Sequence, residues 1–305
     1  MNLPSDWIPK AGNRPRRLAA VLGHPISHSR SPALHAAAYR QLGLDIGYYA
    51  ADIQEAELPR FVEALRLDQD WLGLSVTMPL KSAMVPLLDR LKGEAARLGV
   101  VNTVTFDYSD PGQPRLTGHN SDVVGLVRAL QYAGVRQRPA VALLGGGGTA
   151  VAAVAAAAEL GAAAVDIFVR SGARASPTAK AATTVGLPHR FRPWSEAAGA
   201  LAGYDLVIST LPPHAADELA RELNTAPAAA RADRDSPRLL LDVAYDPWPS
   251  ALAAGWESTG GTTVSGLEML LYQAVEQVRL FTADRYELSP AVINVMCDAV
   301  GLPQR

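Results

Sequence analysis

The chain of 305 residues is 49% hydrophobic and carries a formal net charge of -2. That is enough apolar material for one large domain or two, and it gives no electrostatic reason to expect nucleic acid or an anionic membrane as a partner. The single cysteine, Cys297, excludes an intrachain disulfide and is compatible with a reducing, cytoplasmic setting.

The N-terminal stretch "MNLPSDWIPKAGNRPRR" has no apolar h-region, so it reads as a loose arm and not as a secretory signal. Leu18 to Leu22 forms the first expected strand. "SRSPALHAAAYRQLG" reads as a helix, with Ser31 as N-cap, Pro32 in the first turn and Gly43 at the end. "IGYYAADI" is a second strand. "ELPRFVEALRL" is a helix with Leu58, Phe61, Val62 and Leu65 on one face. "WLGLSVTMP" is a third strand, "KSAMVPLLDRL" and "GEAARLG" read as helical, and "VVNTVTFD" is another strand. This alternation predicts an α/β domain with a mostly parallel sheet.

"SDVVGLVRALQYAG" is a helix that leaves the first domain. Residues 139–158 carry no charge, but they are mostly Ala and Gly with four interrupting glycines. A membrane span needs about 20 continuous apolar residues, so these are read as strand, turn and helix. "AVDIFVR", "YDLVIST" and "RLLLDVAY" supply further strands of a second α/β unit, and "NTAPAAARADRDSP" reads as a loop. The segment "GLEMLLYQAVEQVRLFT" is an amphipathic helix with Leu267, Leu271, Ala274, Val278 and Phe281 at helical spacing. Gly266, Met269 and Gln273 lie towards a neighbouring face. There is no internal repeat or charge block.

"LLGGGGTA" follows a strand and opens a helix, and Gly145, Gly147 and Ala150 match the G-x-G-x-x-G/A dinucleotide fingerprint. Gly145 permits the tight turn, Gly147 lets a pyrophosphate approach the backbone, and Ala150 lets the helix pack close to the sheet. The helix start then offers free N–H groups and a positive dipole end. The following strand ends in Val169, Arg170 and Ser171, with Arg174 close behind, where an NAD enzyme usually has an acid. Two guanidinium groups and a hydroxyl suit a ribose 2′-phosphate, so NADP is expected over NAD. Asp166 lies too early in the strand for the acidic role.

The motifs "GHPISHSRSPALH", "SVTMPLK", "VVNT", "HNSDVVG", the glycine turn, "VRSGAR", "DVAYDPWP" and "GLEMLLYQA" stand in the order seen in the shikimate dehydrogenase family. The chain resembles that family from about residue 20 to its C-terminus. The resemblance implies two α/β domains with a cleft between them. A discontinuous substrate domain would comprise residues 1–121 and 267–305, and a Rossmann-type NADP domain residues 122–266. It implies reversible NADPH-dependent reduction of 3-dehydroshikimate to shikimate. Ser29 and Ser31 would hold the substrate carboxylate with Tyr245 nearby, and Thr77, Asn102 and Gln273 would meet the ring hydroxyls. Lys81 and Asp122 would form the catalytic pair, and Gly266 and Met269 would sit beside the nicotinamide. Gly146, Gly148, Thr149, Thr210 and Val243 would complete the cofactor site.

Lys81 alone reads as a solvated charge, since lysines are mostly exposed. Ketone reduction nevertheless needs a proton or a positive charge at the developing alkoxide, and a lysine can supply either. Ser75 stands where the family usually has Asn, and it would still reach a substrate hydroxyl. Ala36 and Val169 also replace a frequent Asn, and Ser121 a Thr. His24, His28 and His35 have no zinc spacing, so no metal is expected. His119 reads as a loop residue. The small-molecule substrate and NADP are the expected partners, with the chain a monomer or homodimer. The alternatives are a quinate/shikimate dehydrogenase using NAD, a methylenetetrahydrofolate dehydrogenase, and a catalytically silent NADP-binding regulator.

Overall fold

The structure, a computed structural model, describes residues 15–110, 112–223 and 237–305, without the side chains of Ala173 and Arg174. Most of the expected N-terminal arm and of the loop "NTAPAAARADRDSP" therefore lies outside the described residues. The chain divides into two compact units, Met1–Ser121 with Gln273–Arg305, and Asp122–Tyr272.

The first unit begins with β1 (Arg17–Gly23), α1 (Ser31–Gln41), β2 (Ile46–Asp52), α2 (Leu58–Leu65) and β3 (Trp71–Val76). Then come β4 (Arg90–Leu91), α3 (Gly93–Leu98), β5 (Thr103–Asp107) and β6 (Arg115–His119). The strand order is β2-β1-β3-β5-β6-β4. β1 lies between β2 and β3, parallel to both, and six of its seven residues are buried, as a central parallel strand requires. β5 runs antiparallel to both β3 and β6. The link from β5 to β6 is too short for a crossover helix, so the two strands pair antiparallel.

Three expectations in this unit are corrected. Ser31 is not the N-cap of α1; Arg30 holds that position without a side-chain bond, and Ser31 opens the helix. "KSAMVPLLDRL" is not an α-helix. It makes a single 3-10 turn at Val85–Leu87 and then the short β4. Pro86 cannot donate within a helix. Arg66 also holds the segment extended by donating to the Leu87 carbonyl at 3.1 Å and to Asp89 at 2.8 Å. His119 is the last residue of β6, opposite Thr103, and not a loop residue.

The second unit contains α4 (Asp122–Tyr132), β7 (Val141–Leu144), α5 (Gly148–Glu159), β8 (Val165–Val169), α6 (Ser176–Val185) and β9 (His189–Pro193). It continues through α7 (Ala197–Ala200), β10 (Leu206–Ser209), α8 (Asp217–Leu223), β11 (Leu239–Asp242), α9 (Ala251–Ser258) and β12 (Thr262–Ser265). All pairings are parallel, in the order β9-β8-β7-β10-β11-β12. Counted within the unit this is 3-2-1-4-5-6, the doubly wound dinucleotide-binding order. β7, β10 and β11 are buried throughout. The uncharged run at 139–158 resolves into β7 and the Ala-rich α5, whose residues Ala150–Ala157 are all buried. Among the described residues no helix is long and apolar enough to cross a membrane.

The chain ends with α10 (Gly266–Phe281) and α11 (Pro290–Val300), and the division between the units falls inside α10. α11 packs on α1 in the first unit.

Candidate active site

In the first unit the candidate residues gather where β1 and β3 end. The loop after β1 is pinned to the last residue of β2: His24 Nδ1 lies 2.5 Å from Asp52 Oδ1, and Ile26 N donates to the same carboxylate at 3.4 Å. The His24 bond, with the Ile26 N–H behind it, holds the Asp52 carboxyl below its ordinary range. The loop then turns through Ser29 N to the Ile26 carbonyl, 3.0 Å, and Ser31 N donates to Ser29 Oγ at 3.3 Å. A first-turn amide is thus satisfied by Ser29, two residues earlier than the expected cap. Ser31 is buried and Ser29 half-buried.

The turn after β3 is tied to the same place. Thr77 N donates to the Leu22 carbonyl at 2.8 Å, and His24 N donates to the Met78 carbonyl at 3.1 Å. A Cβ on Gly23 would lie 2.5 Å from Thr77 Cγ2, so this close approach requires glycine. Leu80 and Met84, both 0% exposed, sink into the core on either side of the turn. They carry Lys81 with them, and it is only 9% exposed. That removes the reading of Lys81 as a solvated charge. Burying an ammonium is expensive unless it is used or paired.

Asn102 and Gln273 meet directly, Asn102 Nδ2 donating to Gln273 Oε1 at 3.0 Å. Asn102 Oδ1 accepts from Ser121 N at 2.7 Å and from Thr103 Oγ1 at 2.8 Å. The Ser121 amide is donor-only, so the Asn102 side chain has one orientation. Ser75 is buried and its hydroxyl is already engaged. It receives the Tyr48 hydroxyl at 2.6 Å and donates to Gln277 Oε1 at 2.9 Å.

The histidines have separate lives. His35 is 0% exposed, stacked on Tyr48 at 3.9 Å, and burial lowers its pKa to about 3 against a weaker opposing bond from Gln277. His119 bonds Thr105 Oγ1 at 3.1 Å, and burial, with Lys92 adding to it, lowers its pKa to about 4. Among the described residues no group of three or more His, Cys, Asp or Glu is arranged to hold a metal.

In the second unit the glycine turn sits where the strand order reverses, between β7 and β10. Gly145 has φ +109°, and a Cβ there would lie 2.6 Å from Thr210 Oγ1. Thr210 itself is fixed, its hydroxyl and its amide each 3.0 Å from the Leu144 carbonyl. Gly146 abuts Ala175, where a Cβ would come within 2.8 Å. Gly147 is different: nothing lies within 4 Å of where its Cβ would be. That open face is followed by Gly148 and Thr149 at the start of a twelve-residue helix, the positive end of its dipole. Ala150, 0% exposed, packs the helix against the sheet.

Arg170 is exposed at the end of β8. Its guanidinium stacks over Trp194 at 5.2 Å and donates to the Ala215 carbonyl. Ser171 is exposed beside it; the Arg174 side chain lies outside the described residues. Asp166 faces its own partners, Arg190 at 2.5 Å and the Tyr204 hydroxyl at 2.5 Å. Burial opposes its ionisation, but these bonds outweigh it and hold the carboxyl below its ordinary range. It is committed to the sheet edge.

Asp122, 1% exposed, opens α4, where a carboxylate complements the helix dipole. Gly266 opens α10, and a Cβ on it would lie 2.2 Å from the Val243 carbonyl oxygen, so only glycine lets these backbones meet. Met269 is 5% exposed one turn on. Tyr245 is half-buried in the loop after β11. That loop is held by Asp242, which accepts from Ala244 N at 3.3 Å and from Ser250 Oγ at 2.7 Å, and whose carboxyl burial pushes up.

Sequence reasoning did not single out Tyr48 or Gln277. The one available signal was the four-residue step from Gln273 to Gln277, which puts two amides on one helix face.

The family described as "Shikimate dehydrogenase substrate binding domain" matches residues 21–104. A shikimate dehydrogenase (NADP(+)) of Methanothermobacter thermautotrophicus is 32% identical over 271 residues, 87% of this chain and 90% of that one. Among solved structures, shikimate dehydrogenase of Mycobacterium tuberculosis superposes with TM-score 0.78 at 38% identity, covering 93% of this chain and 99% of that one. A shikimate 5-dehydrogenase of Thermus thermophilus, solved in complex with NADP(H) and shikimate, superposes with TM-score 0.72 at 28% identity, covering 93% and 99%.

Proposed function

The chain belongs to the shikimate dehydrogenase family, and from that premise we propose that it interconverts 3-dehydroshikimate and shikimate with NADP as its cofactor. The observation that carries the reading is Lys81: a lysine 9% exposed in the turn after β3, between the core residues Leu80 and Met84.

Bound NADPH supplies the hydride for ketone reduction. The protein does the rest. Lys81 Nζ offers a proton or a charged hydrogen bond to the oxygen that becomes an alkoxide, and Asp122 is the acidic member of the catalytic couple. Ser29 and Ser31, with Tyr245, take the substrate carboxylate. Thr77, Asn102 and Gln273 take the ring hydroxyls. Ser75 is assigned a supporting place behind them, because its hydroxyl is spent on Tyr48 and Gln277.

For the cofactor, the chain's own groups fit a dinucleotide. The open face at Gly147 and the amides that follow it receive the pyrophosphate. Arg170, Ser171 and Arg174 hold the 2′-phosphate, and among the described residues no carboxylate stands at the end of β8 to favour NAD. Thr210 and Val243 are assigned to the cofactor as well, with Gly266 and Met269 on the nicotinamide side. Residues 1–121 with 267–305 are assigned to the acid, and 122–266 to the nucleotide. The enzyme is placed in the cytoplasm, as a monomer or homodimer.

The test is an absorbance assay at the NADPH band, comparing shikimate with quinate and NADP+ with NAD+. The reading expects the shikimate and NADP+ combination to have the highest kcat/KM. A preference for quinate with NAD+ would overturn it.

A further inference from the structure

Behind the candidate substrate residues, the first unit holds a run of buried hydrogen bonds whose donor and acceptor order can be worked out. Gln277, 3% exposed, is its centre. Gln277 Nε2 lies 3.4 Å from the Asn102 backbone carbonyl, which can only accept, so this atom is the amide nitrogen and Oε1 faces the other way. Oε1 therefore accepts from Ser75 Oγ at 2.9 Å and from His35 Nε2 at 3.3 Å. His35 is then the Nε2–H tautomer, and its Nδ1 accepts from the Tyr39 hydroxyl at 3.1 Å.

The same amide supports what lies ahead of it, where the Ser121 N–H already fixes the Asn102 side chain. Nε2 also donates to Thr103 Oγ1 at 3.1 Å, so the Thr103 hydrogen is directed onto Asn102 Oδ1, 2.8 Å away. Asn102 Nδ2 is left to donate to Ser121 Oγ and to Gln273 Oε1, each at 3.0 Å. Once Gln273 Oε1 is an acceptor for Asn102, its Nε2 is the end available to a ligand.

We propose that Gln277 is a positioning residue: the Ser121 amide fixes the polarity in which Gln273 presents N–H donors, and Gln277, acting through Thr103, holds that Asn102–Gln273 pair in place for a ligand acceptor, a hydroxyl lone pair or a carbonyl oxygen. This rests on the functional reading above. Gln277 is buried behind the amide pair and does not itself touch ligand. Ser75 fits the same design. A serine hydroxyl can receive from Tyr48 and donate to Gln277 at once, through a single oxygen.

The test uses Gln277→Met, similar in volume but without hydrogen bonds, and Gln277→Glu, which keeps the acceptor for Ser75 and His35 and loses the donors when ionised. Steady-state kinetics with shikimate and NADP+ are measured for both variants and the wild type, with thermal melting as a check on folding. The expected result is a KM for shikimate raised about three- to tenfold, as for the loss of one or two neutral hydrogen bonds, with kcat and the NADP+ KM changed less than about twofold. In a Gln273→Ala background, adding Gln277→Met should raise the shikimate KM by less than about twofold, because the effect is transmitted through Gln273.

An unchanged shikimate KM in a folded Gln277→Met protein would overturn the proposal. A rise in both KM values together, or a full penalty persisting in the Gln273→Ala background, would show a merely structural role and also overturn it. If the wild type fails to oxidise shikimate with NADP+, the functional reading falls and takes this inference with it. A competent wild type with unaffected variants defeats the inference alone.

Discussion

His35 makes the stability of this protein depend on pH in a way that can be calculated. The ring is 0% exposed, stacked on Tyr48, and bonded through Nε2 to Gln277 and through Nδ1 to the Tyr39 hydroxyl. Burial lowers its pKa from 6.5 to about 3, while Tyr39 and Tyr48 are pushed upward and stay neutral. A base with a depressed folded-state pKa binds its proton more readily in the unfolded chain. Its contribution is therefore intact above pH 6.5 and is lost as pH falls from 6.5 towards about 3. At about pH 5 the unfolded chain carries nearly a full proton on this ring and the folded chain almost none, so the loss is about 2 kcal/mol relative to about pH 7.5. That figure hardly depends on the folded value, provided it lies below about 4. Urea denaturation of wild type and His35→Gln at the two pH values reads it directly. His119 and the carboxylates titrate in both proteins and cancel in the difference. His35→Gln should lose about 2 kcal/mol less than wild type on acidification. An equal loss in both proteins would mean that His35 is protonated in the folded state, and the assigned tautomer would fall with it.

Lys81→Ala should reduce kcat about 10²–10⁴-fold with a smaller change in shikimate KM, and near-normal turnover would refute its role. The glycines of the turn should separate cleanly. Gly145→Ala puts a side chain at φ +109° and against Thr210, and should destabilise the fold by about 1–3 kcal/mol, read as a lower urea midpoint. Gly147→Val meets open space, so it should leave that midpoint alone and weaken NADP+ binding, read by fluorescence titration. Arg170→Ala should weaken NADP+ binding about ten- to hundredfold and leave NAD+ binding nearly unchanged, since it removes a charge-assisted bond to the 2′-phosphate only. An equal loss for both cofactors would place Arg170 elsewhere.

The parts of the fold legible in the sequence were those whose chemistry is local. β7, the glycine turn and α5 follow one another without interruption, so their order could be read straight along the chain. α10 announced itself by apolar spacing over sixteen residues. Strands β4, β6, β9 and β12 were not expected; they are short, and β4, β9 and β12 lie at sheet edges where every residue but Val264 is exposed or half-buried, so no apolar pattern marks them. The segment after Lys81 looked helical because its apolar spacing is right, but Arg66, far away in sequence, bonds it into an extended path.

Ser75 shows the same limit at the site itself. Read along the strand, a serine between Leu74 and Val76 beside Thr77 is a plausible ligand contact. Its actual partners are Tyr48, 27 residues before it, and Gln277, 202 residues after it. Each of the three is ambiguous alone: Tyr48 belongs to an apolar strand, Gln277 to a helix face, and Ser75 to a motif. Only when folded do they form a directed series of bonds, because a backbone carbonyl at Asn102 fixes Gln277, and Gln277 fixes Ser75 and His35. The polarity of these side-chain amides is thus set by main-chain groups, the Asn102 carbonyl and the Ser121 N–H, that no side-chain motif encodes. A search for ligand contacts by residue type therefore finds the Asn102–Gln273 pair and misses the buried Gln277 behind it.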